Sequence, residues 1–231
     1  MTRPTFVHPE VRGSGVGDRV RLEGAEGHHA SVVRRLRVGE VVHVTDGRGA
    51  RATGEVAAVG KGVVELDVTD VEEHAQPRPR LVVVQALVKG DRGELAVELL
   101  TEVGADVIVP WAASRSVVRW TGERGAKSLQ RWRTTAREAA KQSRRAWFPE
   151  VTDVADTERV AALLAGAQVA VVLHEAADVP VGDLAVTAEG DSLRMRWAHG
   201  ASRCELIAGL REGTCRVRAT DEHGRWRDEA A

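Results

Sequence analysis

Glu72-Glu-His-Ala-Gln-Pro-Arg-Pro-Arg80, followed at once by Leu81-Val-Val-Val-Gln-Ala-Leu-Val88, divides the chain into two kinds of pattern. The first stretch is polar and holds two prolines, which favour extended backbone and mark a linker. The second is an almost unbroken apolar run, as expected of a strand covered on both faces of a parallel sheet. Upstream, short β-like runs alternate with Gly and Asp turns: Arg19-Val-Arg-Leu22, Val41-Val-His-Val-Thr45, Glu55-Val-Ala-Ala-Val59 and Val63-Val-Glu-Leu-Asp-Val68. Asp46-Gly47-Arg48-Gly49 between two of them is a hairpin signal, since Gly accepts the positive φ of such turns. The expectation is a small antiparallel β-barrel over residues 1–72, interrupted by one helix around residues 27–36, then a linker over 73–80.

Downstream, strands and helices alternate. Asp91 and Glu94 form a capping pattern, and Leu95, Leu99 and Val103 recur at helical spacing up to Gly104. Asp106-Val-Ile-Val-Pro110 reads as the next strand. Thr157 caps a helix carrying Val160, Leu163 and Leu164 and closed by Gly166, and Gln168-Val-Ala-Val-Val-Leu173 reads as a third strand. Ligands of such sheets bind beyond the carboxyl ends of the strands, where His174-Glu175 stands; the same pair also reads as solvated strand termination.

Lys127-Ser-Leu-Gln-Arg-Trp-Arg-Thr-Thr-Ala-Arg-Glu-Ala-Ala-Lys-Gln-Ser-Arg-Arg145 is an amphipathic helix with Leu129, Trp132, Ala136, Ala139 and Ala140 on its inward stripe. Arg133, Arg137, Lys141 and Arg145 recur every fourth residue and predict a cationic ridge suited to phosphates. Arg115, Arg119, Arg124, Arg131 and Arg144 lie in the same region. Arg34, Arg35 and Arg37 form a second cluster in the barrel. A basic helix is as often a solvated face as a ligand surface, but two clusters on two domains favour RNA held by shape and phosphate contact. Aromatics at 3% argue against a stacking platform for single strands.

The 231 residues, 43% hydrophobic, suffice for two small domains, and the net charge of −1 places the weight on local clusters rather than on overall charge. No run approaches a membrane span and the start lacks a signal-peptide pattern, so the expected location is cytoplasmic, without membrane contact. Cys204 and Cys215 are not spaced for zinc, and His28-His29 lacks a third ligand, so no metal is expected. Glycine-rich nucleotide loops and nucleophile triads are absent from the sequence.

The order of several motifs resembles the RsmE family of 16S ribosomal RNA uridine-N3 methyltransferases. They are Gly27-His-His-Ala-Ser-Val-Val-Arg-Arg-Leu-Arg-Val-Gly39, Asp46-Gly-Arg-Gly49, Ala86-Leu-Val-Lys-Gly-Asp-Arg92, Glu98-Leu-Leu-Thr-Glu-Val-Gly104, Ser114-Arg-Ser-Val-Val-Arg119, Ala136-Arg-Glu-Ala-Ala-Lys-Gln-Ser-Arg-Arg145 and Leu173-His-Glu175. The resemblance covers about residues 1–185. It implies an α/β chain with a PUA-like RNA-binding β-barrel ahead of a SPOUT-type trefoil-knot methyltransferase domain over residues 81–231. It further implies S-adenosyl-L-methionine as cofactor, the small ribosomal subunit and its 16S rRNA as partners, and a homodimer. Leu173, His174 and Glu175 are the implied cofactor-side residues, and Arg34, Arg35, Arg37, Arg115, Arg133, Arg137, Lys141, Arg144 and Arg145 the RNA-side residues.

From about residue 191 the chain departs from the family pattern. Arg194-Met-Arg-Trp-Ala-His-Gly-Ala-Ser202 stands where the family has a Gly-Pro-Glu-Gly-Gly loop, and Arg218-Ala-Thr-Asp-Glu-His-Gly-Arg-Trp-Arg227 where it has a Leu-Arg-Thr-x-Thr-Ala segment. Glycines let backbone approach a ligand closely, whereas Trp197 and the arginines add bulk and positive charge beside a sulfonium. Arg194 and Arg196 are expected to break the apolar strand there, while residues 202–213 still resemble the family's helix. Back-translated with GC-rich codons, residues 221–227 can read close to the last family motif one base out of frame, so a reading-frame change is an expectation that the coding DNA would test; more than one shift would be needed.

Overall fold

The computed structural model describes residues 3–114 and 116–171 throughout, and beyond them the backbone of five strands between residues 185 and 229. Met1–Thr157 forms one compact unit and Glu158–Ala231 a second.

The first unit begins with a five-stranded sheet in the order β1-β3-β4-β5-β2. Its strands are β1 (Thr5–Val7), β2 (Arg19–Leu22), β3 (Val41–Thr45), β4 (Ala50–Gly60) and β5 (Val63–Glu73). The last four stand where alternation placed them, although β4 begins before Glu55 and β5 runs past Val68. Strand β1 was not legible: three residues give no periodicity, and it pairs parallel to β3, Thr5 against His43, at long range. Two register shifts in β4, at Thr53/Gly54 and Val56/Ala58, bend the sheet around its core. That core is the inward set of each strand: Phe6, Val20, Leu22, Val42, Val44, Val56, Val64 and Leu66, all 4% exposed or less.

The expected helix at 27–36 is α1 (Gly24–His28) continuing into a π-helical stretch (His29–Val33). Gly27 makes this crossing possible, since a Cβ there would lie 2.3 Å from the carbonyl oxygen of Gly62. Ala30 and Leu36 point into the sheet core.

A parallel sheet follows in the order β6-β7-β8, with β6 (Val82–Ala86), β7 (Val107–Trp111) and β8 (Glu150–Val151). Strand β7 is buried as a central parallel strand should be. Strand β6 corrects an expectation: Val82 is 45% exposed, and among the described residues β6 pairs with β7 alone. Helix α2 (Arg92–Glu102) lies where predicted, and Gly104 (φ +102) follows it, but Asp91 makes no side-chain capping bond. Its inward face is also corrected. Gly93, Val97 and Thr101 are buried, while Leu95, Leu99 and Val103 are 50–73% exposed.

Helix α3 (Gly122–Gln142) buries Trp132, Ala136, Ala139 and Ala140. Trp132 is 2% exposed and meets Trp120 edge-on at 5.0 Å. With Leu87, Val97, Ala105, Ile108 and Val151 it makes the second core. Gly93 admits the indole, because a Cβ there would approach it to 2.9 Å.

The two cores are joined through the Asp46–Gly49 turn. Gly49 (φ +103) donates its N–H to Ala146 O at 2.9 Å, Phe148 N–H donates to Gly47 O at 2.8 Å, and Arg48 bridges Trp147 as in an antiparallel ladder. Trp147 Nε1 donates to His74 O at 2.8 Å.

At the start of the second unit, α4 (Thr157–Ala165) includes as its first residue the Thr157 expected to cap it, and buries Val160. Residues 168–171, expected as strand, are irregular; the rest of that segment lies outside the described residues. Beyond it, β9 (Ala185–Glu189), β10 (Ser192–His199), β11 (Ser202–Gly209), β12 (Cys215–Thr220) and β13 (Trp226–Glu229) form an antiparallel meander in sequence order. Two expectations are corrected here. Arg194 and Arg196 stand within a continuous strand, and residues 202–209 are strand rather than helix, paired with β10 on one side and β12 on the other. Ladders on both sides satisfy that backbone, which overrides a local helix pattern. The carboxyl-terminal threading implied by the family falls on segments that include 172–184, outside the described residues.

Candidate nucleic-acid interface

The predicted ridge on α3 separates into residues that hold the fold and residues that do not. Lys141 is 3% exposed at its side chain; its Nζ donates to Glu26 Oε1 at 2.9 Å and lies 3.3 Å from Glu138. It therefore ties α3 to α1 and is not on an exposed ridge. Arg145 is 13% exposed. Its guanidinium donates to the carbonyls of Ala105 (2.6 Å), Trp147 (2.9 Å) and Thr101 (3.0 Å) and reaches Asp106 Oδ1 at 3.3 Å. Burial lowers its pKa, and Asp106 opposes that shift. Arg133 binds Val151 O and Asp153, and Arg137 lies 3.6 Å from Glu26. The fourfold spacing does not hold as one exposed face, because α3 ends at Gln142, Arg145 lies beyond the left-handed Arg144, and Lys141 is buried. That these cations meet acceptors from distant segments, Glu26 and Asp106 among them, is invisible to periodicity.

Arg144 differs from its neighbours. It is exposed and sits just past α3 with φ +56. Arg145 N–H donates to Ala140 O (2.9 Å) and Arg144 N–H to Lys141 O (3.1 Å), the paired bonds of a Schellman ending with Arg144 in the left-handed position.

Arg34, Arg35 and Arg37 are likewise exposed, as are Val32, Val33 and Val38 around them. This segment ends the π-helical stretch: Arg34 N–H donates to His29 O (2.8 Å), Leu36 N–H to Ala30 O (3.0 Å), and Arg35 takes φ +52. The side chains of Arg34, Arg35, Arg37 and Arg144 make no hydrogen bond or ion pair among the described residues. Arg115 lies outside the described residues, as do Leu173, His174 and Glu175.

A positive cluster that the sequence reading missed surrounds His43. Its pKa is lowered, first by burial and then by Arg51, Arg3 and Arg144, with Glu72 opposing. The hairpin register is the signal that could have found it. His43 pairs with Thr53 and Thr45 with Arg51, so His43 and Arg51 are diagonal neighbours on one face. Thr53 Oγ1 lies 3.2 Å from His43 Nδ1. Glu72 is held by Arg51 and by His74 Nε2 at 3.0 Å, which lowers its pKa. Beside Arg137 an open groove is lined by Val7, His8, Arg21, Glu23 and Glu26, a mixed-charge surface less suited to phosphate.

His28 is exposed, and His29 packs edge-on against Phe6 at 5.6 Å. Among the described residues no group of three or more His, Cys, Asp or Glu is placed for a metal ion, and no helix is long and apolar enough to cross a membrane.

The segment where the family places its glycine-rich cofactor loop overlaps β10. Residues 192–196 are paired with β9 on one side and β11 on the other, so their backbone donors and acceptors are taken by the sheet. This stretch does not fit a backbone cradle for a cofactor.

The sequence matches the profile of an RNA methyltransferase domain over residues 75–201 and that of an RNA methyltransferase PUA domain over residues 22–69. It is 39% identical over 193 residues to ribosomal RNA small subunit methyltransferase E of Mycobacterium bovis, covering 82% of this chain and 74% of that protein. Two solved structures are similar. One is ribosomal RNA small subunit methyltransferase E from Neisseria gonorrhoeae bound to S-adenosyl methionine (TM-score 0.59, 29% identity). The other is a putative methyltransferase from Legionella pneumophila with bound cofactor SAM (TM-score 0.61, 25% identity). Each likeness covers 69% of this chain and 65% of that one, so the chain spans just under two thirds of their length. With a barrel-like sheet ahead of a parallel α/β sheet and these matches across both, the chain belongs to the ribosomal RNA small subunit methyltransferase E family.

Proposed function

We propose that the chain methylates ring nitrogen 3 of a uridine in 16S ribosomal RNA, using S-adenosyl-L-methionine, as a cytoplasmic homodimer acting on the small ribosomal subunit. The observation that carries this reading is the 39% identity over 193 residues to a relative named for small-subunit rRNA methylation. The exposed, unpaired arginines support the RNA side of it. In this reading residues 1–72 and the end of α3 hold RNA, residues 73–80 connect, and residues 81–231 serve methyl transfer with Leu173, His174 and Glu175 beside the cofactor. Bound S-adenosylmethionine supplies an electrophilic methyl group. The chain's own contribution is positioning: Arg34, Arg35, Arg37 and Arg144 neutralise phosphates, which fixes the register of the RNA.

A second reading, an RNA-binding family member without methyl transfer, is favoured by one observation. Residues 192–196 lie in a strand paired on both sides, where the family has its glycine loop. Titration calorimetry with S-adenosylmethionine, together with transfer of labelled methyl groups to unmodified small-subunit rRNA, separates the two. The first reading requires saturable cofactor binding and label in the RNA. Retained rRNA binding with neither establishes the second.

A further inference from the structure

We infer that Arg35 and Arg144 are fixed phosphate-gripping residues, kept in a backbone conformation suited to glycine because their guanidinium groups contact the substrate RNA. The inference rests on the RNA-directed reading above. Among the described residues, the positions with positive φ are nine glycines and these two arginines, at +52 and +56. An L residue there brings its Cβ against its own carbonyl, a local cost that glycine avoids. Asn and Asp offset it with a local side-chain hydrogen bond, which arginine does not supply here.

Both arginines stand where helices most often use glycine. Arg144 closes α3 in a Schellman ending, and Arg35 closes the π-helical stretch between the Arg34–His29 and Leu36–Ala30 bonds. Packing does not explain them, because both side chains are exposed and make no hydrogen bond or ion pair among the described residues. Helix-dipole attraction does not require them either, since Arg34 flanks the first position and Lys141 and Arg145 the second. Arg145, one residue beyond Arg144, shows the contrast: all its visible partners lie within the chain.

A residue that is strained, exposed and unpaired does nothing for the fold that glycine would not do as well. The use left for the side chain is a contact outside the chain. Its chemistry is an anion matching a planar guanidinium fork, as a phosphate does. Arg35 lies between Arg34 and Arg37, and Arg144 among the cations around His43, so each adds to a positive field. In both cases the surrounding backbone bonds fix the Cα. The side chain therefore swings from a set point.

The test uses R35G and R144G in the full chain, measuring thermal unfolding and binding to protein-free small-subunit rRNA across a salt series. Each glycine variant should melt at or above the parent temperature. Each should bind the RNA roughly tenfold more weakly, the loss of about one charge-assisted contact, and lower the salt slope by about one. R35K and R144K should recover part of the affinity. Parent-like affinity and slope in both glycine variants would overturn the inference, as would a fall in melting temperature, which would give the arginines a structural role. If the parent chain itself fails to bind the rRNA, the functional reading falls instead.

Discussion

Replacing Arg145 by Met should destabilise the fold by about 4 kcal/mol while leaving the exposed arginines intact. The guanidinium satisfies three backbone carbonyls at 2.6–3.0 Å and approaches Asp106 Oδ1 at 3.3 Å. Asp106 is itself 5% exposed at its side chain, with its other oxygen accepting from Leu81 N–H at 2.8 Å. Removing the cation leaves a buried carboxylate without its counter-charge, for which losses of about 3–5 kcal/mol are typical, and it orphans buried acceptors at about 1–3 kcal/mol each, partly relieved by water. At about 2–4 °C per kcal/mol for a unit of this size, the melting temperature should fall by roughly 10 °C. Urea unfolding followed by tryptophan fluorescence measures the loss directly, since Trp147 and Trp132 report on this region. R145M combined with D106N should recover part of it, because the second change removes the stranded charge. A loss of R145M stability within about 0.5 kcal/mol would refute a structural role for Arg145.

Trp132→Ala should cost about 3–5 kcal/mol in the same assay, because the ring is 2% exposed between α2 and α3; a loss near 1 kcal/mol would mean the second core does not depend on it. Gly49→Ala should destabilise by more than about 1 kcal/mol, since φ is +103 and the new Cβ would lie 2.6 Å from His74 O, whereas Gly39→Ala, with open space around it, should lose less. Stability should also fall on acidification. The folded His43 has a pKa below its ordinary 6.5, so the unfolded chain takes up more protons once the pH drops through that value. Unfolding free energies measured from pH 7.5 downward should decline less steeply in H43Q than in the parent. Equal slopes would contradict the placement of His43 in a half-buried, cation-rich site.

The strands of the first sheet were legible because one face is dry and the other wet, as in the alternation of Arg19-Val-Arg-Leu22. The inward stripe of α3 was legible for the same reason. Helix α2 was not: Leu95, Ala96, Val97, Leu99, Leu100 and Val103 surround it with apolar residues, so spacing alone could not say that Gly93, Val97 and Thr101 face inward. The roles of the basic residues divide along a different line. Lys141 and Arg144 are both cations near one helix end, and only the long-range approach of Glu26 makes the first structural. The left-handed backbone at Arg35 and Arg144 had no sequence signal either, since arginine does not announce such a conformation as glycine does.

The Asp46–Gly49 turn, bonded into residues 146–148, makes the barrel-like sheet and the end of α3 parts of one body, and the Lys141–Glu26 pair adds a second tie. On the inference drawn above, Arg35 and Arg144 meet RNA from Cα positions set at folding, before any RNA arrives. Such a pre-set backbone spends little ordering entropy on contact. Loosening that junction, as Gly49→Ala would, should therefore lower RNA affinity with both arginines still in place.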